Sequence, residues 1–132
     1  MGDGVAVSIN PQSPVPVYLQ IADYIRRAVA AGVYRPGEAI PSVRALALDL
    51  TVNPNTVQRA FEELEREGLV EVRKGLGMFV AKNGLVSAQA QSEQAMQAAF
   101  VQAIRGGRAA RIPSKRIRSA FDDAWRDTDS HG

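Results

Sequence analysis

Cysteine is absent from the 132 residues, and the only histidine, His131, stands beside the C-terminus. Without thiols there is no disulfide, no thiolate metal site and no cysteine nucleophile. A lone terminal histidine builds neither a histidine-based triad nor a multi-histidine metal site within one chain. Long apolar runs are missing as well: none approaches the ~20 residues of a membrane span. The opening MGDGVAVSINPQS has no basic stretch followed by an apolar core, so it does not read as a secretory signal. A cytoplasmic chain with no membrane partner is therefore expected. Excess charge of one sign is also lacking, since 16 Lys and Arg stand against 14 Asp and Glu for a net charge of +2. Residues 14–82 carry nine cations against eight anions, and residues 83–132 seven against five. The overall balance is thus no argument for a nucleic-acid partner, and only the placement of individual charges can supply one. The carboxylates, Lys, Ser and Tyr that remain for chemistry nowhere cluster with a plausible partner, so neither an enzyme nor a cofactor or metal is expected.

What is present is concentrated in residues 41–68, PSVRALALDLTVNPNTVQRAFEELEREG. Ser42 suits the N-cap of a helix whose apolar positions Val43, Leu46, Ala47 and Leu50 recur at helical spacing. Thr51-Val52-Asn53 breaks that pattern. Asn53 can cap a second helix, with Pro54 at the first helical position, where a missing N–H costs nothing. From there Val57, Ala60, Phe61 and Leu64 form a buried stripe, and Asn55, Thr56, Gln58 and Arg59 lie off it near the helix start. Two short helices around a tight turn, the second opening on hydrogen-bonding side chains, match the way a helix-turn-helix enters the major groove. An ordinary helical hairpin with solvated polar faces fits these two helices equally well, and the flanking sequence has to decide.

Residues 1–13 show little periodicity and read as a mobile arm. In VYLQIADYIRRAVAAG, Tyr18, Ile21, Ala22, Ile25, Ala28 and Val29 make a well-phased apolar face that Gly32 ends. Tyr34-Arg35-Pro36-Gly37 is a turn, and Ala39-Ile40-Pro41 a brief extended link. After Gly68 the period falls from 3.6 to 2. Leu69–Arg73 and Met78–Ala81 read as strands around Lys74-Gly75-Leu76-Gly77. Three helices followed by a hairpin make a winged helix, whose Arg73 and Lys74 can reach phosphates or the minor groove; a hairpin that merely covers the core is the alternative. Lys82-Asn83-Gly84 reads as the domain boundary. Beyond it, Met96, Ala99, Phe100, Ala103 and Ile104 mark a helix expected to stop at Gly106-Gly107. A last helix capped by Ser114 carries Ile117, Ala120, Phe121, Ala124 and Trp125. Two amphipathic helices cannot make a core alone. Residues 85–128 are therefore expected to dimerise, through Met96, Phe100, Ile104, Ile117, Phe121 and Trp125. The expected fold is mainly α with a small β-hairpin: a winged helix-turn-helix over 14–82, then a two-helix dimerisation region.

Across residues 16–80 the chain resembles the GntR family of bacterial transcription regulators. The segments PVYLQIADYIRRAVAAGVYRPGEAIPSVRALALDL and VNPNTVQRAFEELEREGLVEVRKGLGMFV carry the likeness. The combination of PG, PSxR, TVxRA, LexEG and GxGxFV is specific, whereas each fragment alone is weak. The short helical tail looks like the YtrA-type branch. The resemblance implies that Arg44, in the PSxR segment, contacts DNA. It likewise implies that Asn53, Asn55, Thr56 and Gln58 read bases or hold phosphates, and that Gly75, beside Lys74, approaches the minor groove. Many relatives carry Arg where this chain has Gln58, and Gln suits adenine where Arg suits guanine, so base preference does not transfer.

Each of these positions has a plainer reading. Arg44 and Arg59 can be solvated partners of Asp49, Glu62 or Glu63, while Asn53 and Thr56 can serve only as caps. The basic group Arg105, Arg108, Arg111, Lys115, Arg116 and Arg118 reads as a solvated face, and Asp122, Asp123, Asp127 and Asp129 as a solvated helix end. The function expected is a sequence-specific, DNA-binding repressor, homodimeric on a palindromic double-stranded operator. A winged helix for protein or RNA contact is the rival. No dedicated effector pocket is visible, so a small-molecule effector, if one exists, is expected to use the dimer interface or the domain junction.

Overall fold

The computed structural model of the chain describes residues 9–131. The order is α1 (Val17–Ala30), α2 (Val43–Leu50), α3 (Pro54–Arg66), β1 (Val70–Arg73), β2 (Gly77–Val80), α4 (Gly84–Ala109) and α5 (Ser114–His131). It is the expected winged helix-turn-helix followed by two helices. Two compact units divide after Ser92, inside α4.

In the first unit, Ile21, Ala22, Ile25 and Val29 of α1 share one core with Leu46 and Ala47 of α2 and Val57, Ala60, Phe61 and Leu64 of α3. Each large side chain so buried contributes roughly 1.5–3 kcal/mol. The caps form as the residue types dictate: Ser42 Oγ accepts from the Ala45 N–H at 3.0 Å, and Asn53 Oδ1 from the Asn55 N–H at 2.8 Å. A partly buried ion pair ties α1 to the end of α3. Arg26 donates Nε–H to Glu67 Oε1 at 3.1 Å and Nη2–H to Glu67 Oε2 at 2.7 Å, a two-pronged geometry that only guanidinium offers.

The strands pair antiparallel, with Val70 opposite Val80, Glu71 opposite Phe79, Val72 opposite Met78 and Arg73 opposite Gly77. The link before Pro41 proves to be a third edge of this sheet. Ile40 N–H donates to Met78 O, Val80 N–H to Glu38 O and Gly37 N–H to Val80 O, at 2.8–3.0 Å. These bonds fill the outer edge of β2, which a two-stranded hairpin would leave open.

Three expectations change. Residues 1–8 of the arm lie outside the described residues, but residues 9–13 are pinned. The Gln20 amide accepts from the Asn10 N–H and donates to Asn10 O, both at 2.8 Å, and Ile9 packs on the core. The break expected at residues 82–84 is the start of α4 instead. Ala88 is fully buried, Ser87 Oγ donates to Glu67 O, and the Gly84 Cα sits so close to Leu69 and Val80 that a Cβ would lie 2.7 Å from both. Nor do Gly106 and Gly107 end α4, which runs to Ala109. Ile117 packs over Gly107, where a Cβ would stand 3.1 Å from it, and the chain reverses at Arg111, with φ 61°.

In the second unit Phe100 meets Phe121 edge to face, centroids 5.9 Å apart, and Phe121 stacks at a tilt on Trp125. None of its described residues is buried. Met96, Phe100, Ile104 and Phe121 are each 40–47% exposed, and Trp125 64%.

Candidate nucleic-acid interface

The three-residue turn Thr51-Val52-Asn53 delivers α3 with its stripe inward. Val57, Ala60, Phe61 and Leu64 are buried, so Asn55, Gln58, Arg59 and Glu62, at helical spacing on the other side, face outward. Thr56 is half-buried at the edge of that face, and Asn53 is exposed at the cap. The charge along α3 is graded. Its opening turns hold amides, a hydroxyl and Arg59, whereas its far half carries Glu62, Glu63 and Glu65 against Arg66 alone, so it is net acidic. A polyanion is therefore tolerated at the N-terminal end, where the helix dipole also favours negative charge, and repelled from the other.

Arg44, in the first turn of α2, is exposed and makes no ion pair among the described residues. Its solvated-partner alternatives, Asp49, Glu62 and Glu63, do not engage it; Glu63 pairs with Arg66 instead. Arg59 does have a partner, though not an acid: its guanidinium lies 4.0 Å over the centroid of the Tyr18 ring. A guanidinium stacked by its face keeps its in-plane N–H donors available for an anion.

At the wing, Lys74 and Gly75 are exposed, and Gly75 has φ 79°, a conformation that suits glycine in the turn closed by the Leu76 N–H donating to Arg73 O at 2.8 Å. Arg73 is engaged on the hairpin flank. It donates Nε–H to Glu71 at 3.2 Å and lies 4.2 Å over the Phe79 ring. The strand period places Glu71 and Arg73 on one face, and the register sets Phe79 opposite Glu71. That clasp was thus readable from the hairpin pairing, although the sequence reading passed over it. Tyr18 beneath Arg59 had no such local signal, because the two lie on separate helices.

Residues 17–80 match the bacterial regulatory proteins of the gntR family. The chain is similar to the HTH-type transcriptional repressor YtrA of Bacillus subtilis, 42% identical over 77 residues that make up 58% of this chain and 59% of that one. The matched stretch spans about three fifths of the length of that curated relative. Among solved structures it is similar to YtrA from Sulfolobus acidocaldarius, a GntR-family transcription factor. The identity is 40%, with a TM-score of 0.54, covering 57% of this chain and 79% of that one. It is also similar to AraR(DBD) in complex with operator ORX1, with 28% identity and a TM-score of 0.53, covering 57% of this chain and 96% of that one. The outward polar start of α3, the hairpin behind it and these likenesses agree: the chain belongs to the GntR family of bacterial regulatory proteins.

Proposed function

We propose that the chain is a non-enzymatic, sequence-specific transcription regulator, a repressor that binds a palindromic operator in double-stranded DNA as a homodimer. One observation carries this reading: the start of α3 turns Asn55 and Gln58 outward, with the acidic residues displaced to the far half of the helix, while Arg44 in the first turn of α2 is exposed and unpaired among the described residues. In that reading Asn53, Asn55, Thr56 and Gln58 meet the major groove, Arg44 and Arg59 hold phosphates, and Lys74 with Gly75 follows the adjacent minor groove. Arg73 serves the wing by holding its flank, and contributes charge from there. The likeness to a repressor and to an operator complex supports the DNA partner. The half-exposed apolar residues Met96, Phe100, Ile104, Ile117, Phe121 and Trp125 support a second copy as the partner of the C-terminal helices.

Selecting bound duplexes from a random pool, then titrating the winner against salt, tests the reading. The expected outcome is one palindrome enriched, with binding about 10³-fold or more tighter than to random duplex and a steep fall of affinity with salt. Equal, weak binding to every sequence would sink it and favour a protein-contact role.

A further inference from the structure

α5 carries its charges against its own dipole. The N-terminus of a helix favours anions and its C-terminus cations. Yet α5 opens with Lys115, Arg116 and Arg118, has no acid in its first turn, and collects Asp122, Asp123, Asp127 and Asp129 toward its end. The same polarity marks the antiparallel pair that α5 forms with the second half of α4. Between Glu93 and Asp122 there is no acid at all, and Arg105, Arg108, Arg111, Lys115, Arg116 and Arg118 all fall in that interval, every one exposed. One end of the helical pair is cationic and the other anionic, with Arg126 alone set among the aspartates of the anionic end.

The placement around α5 is specific. Lys115, Arg118, Asp122 and Asp129 follow at separations of three, four and seven residues, so they run down one flank of the apolar stripe, beside Trp125. Trp125 is the most exposed of the large apolar residues in this unit, at 64%. Among the described residues none of those four charges is in an ion pair, whereas Asp123, off that flank, pairs with Arg126.

We propose that two copies of the chain pair α5 against α5, antiparallel, with the twofold axis at Phe121. This register rests on the homodimer reading above. It sets Ile117 beside the partner's Trp125 and brings Arg118 within one helical turn of the partner's Asp122 and Lys115 within one turn of the partner's Asp129, each contact occurring twice by symmetry. Parallel pairing would set Lys115 and Arg118 against their own copies. The antiparallel register also brings the cationic end of one helical pair over the anionic end of the other.

The test exchanges the two halves of the flank: Lys115→Asp and Arg118→Asp combined with Asp122→Lys and Asp129→Lys. Net charge is unchanged, all four positions are exposed, and the exchanged helix agrees better with its dipole, so folding is not at risk. The exchanged chain is expected to dimerise as the wild type does. Mixed with isotope-labelled wild type, it is expected to form heterodimers at least about tenfold below the statistical share by native mass spectrometry, since each mixed contact sets like charges together. The half exchange, Lys115→Asp with Arg118→Asp alone, is expected to weaken self-association about tenfold. Heterodimers at or above the statistical share, or a half exchange that dimerises unchanged, would overturn the register and leave the homodimer standing. A monomeric wild type would overturn both.

Discussion

Arg44 and Gln58 differ in what they can read, and the difference sets what their loss should do. Arg44 sits on α2, exposed and unpaired among the described residues, and in the proposed reading its guanidinium is a phosphate anchor that carries little sequence information. Gln58 stands on the outward face of α3, where an amide can pair with adenine N6 and N7 at one position. Arg44→Ala is expected to weaken binding to every duplex alike and to lower the salt slope by about one. Gln58→Ala is expected to cost about 1–3 kcal/mol at a single base pair of each half-site and to leave other positions unaffected. Fluorescence titrations of both variants against operator and singly substituted duplexes check this; unchanged operator affinity in both would remove these residues from the interface. Arg59 and Arg73 stand apart, since each lies on an aromatic ring that fixes its direction. The two stacks differ in origin: Tyr18 lies on α1 and Arg59 on α3, whereas Phe79 stands opposite Glu71, two residues from Arg73 in the hairpin register. The setting of Arg59 therefore had no local signal, whereas that of Arg73 was implicit in the pairing of the strands.

Four of the helices end the same way, with one residue at positive φ and two bonds that close the last turn. At α1 and α3 that residue is glycine, but at α2 it is Thr51, with φ 56°, and at α4 it is Arg111. After α2 the Val52 N–H donates to Ala47 O at 3.0 Å and the Thr51 N–H to Leu48 O at 3.3 Å. A β-branched residue in the left-handed region costs roughly 1–2 kcal/mol, and the Thr51 side chain makes no hydrogen bond among the described residues to offset it. Asparagine tolerates that conformation. Thr51→Asn is therefore expected to raise stability by about 0.5–1 kcal/mol, or several degrees in thermal midpoint; a midpoint that stays or falls would refute strain at this turn. What was legible at this scale follows period and punctuation. Ser42, Asn53 with Pro54, and the stripe Val57–Leu64 gave the helix-turn-helix its bounds, and alternation after Gly68 gave the strands. The edge formed by residues 37–40 was not legible, because a segment so short has no period to detect. The run of α4 through Gly106 and Gly107 was hidden for another reason: glycine there makes room for Ile117, a contact set by the reversal at Arg111 rather than by local propensity.

At the scale of the molecule, the break between units falls within one continuous helix. Among the described residues every buried apolar side chain lies at or before Ala88, so the first unit has a core of its own. None of the second unit's described residues is fully buried, and in the proposed reading its exposed stripe is covered by a second copy. In the proposed reading such a division separates recognition from assembly. A monomeric winged helix can occupy one half-site, whereas two joined copies turn the second contact into an intramolecular event, which raises affinity by about 10²–10⁴ without any new contact to DNA. A chain ended after Ser92 keeps α1, α2, α3, the hairpin and the buried start of α4. It is expected to unfold cooperatively, to bind a single half-site as the whole chain does, and to lose about 10²-fold or more in affinity for the full palindrome. The dependence on half-site spacing is expected to disappear with it, since that spacing reflects the geometry of a dimer. Titrating both chains against palindromes whose halves are moved apart by successive base pairs checks the claim. A shortened chain that retains full affinity and the same spacing preference would mean that the first unit pairs on DNA unaided, leaving the C-terminal helices some other task.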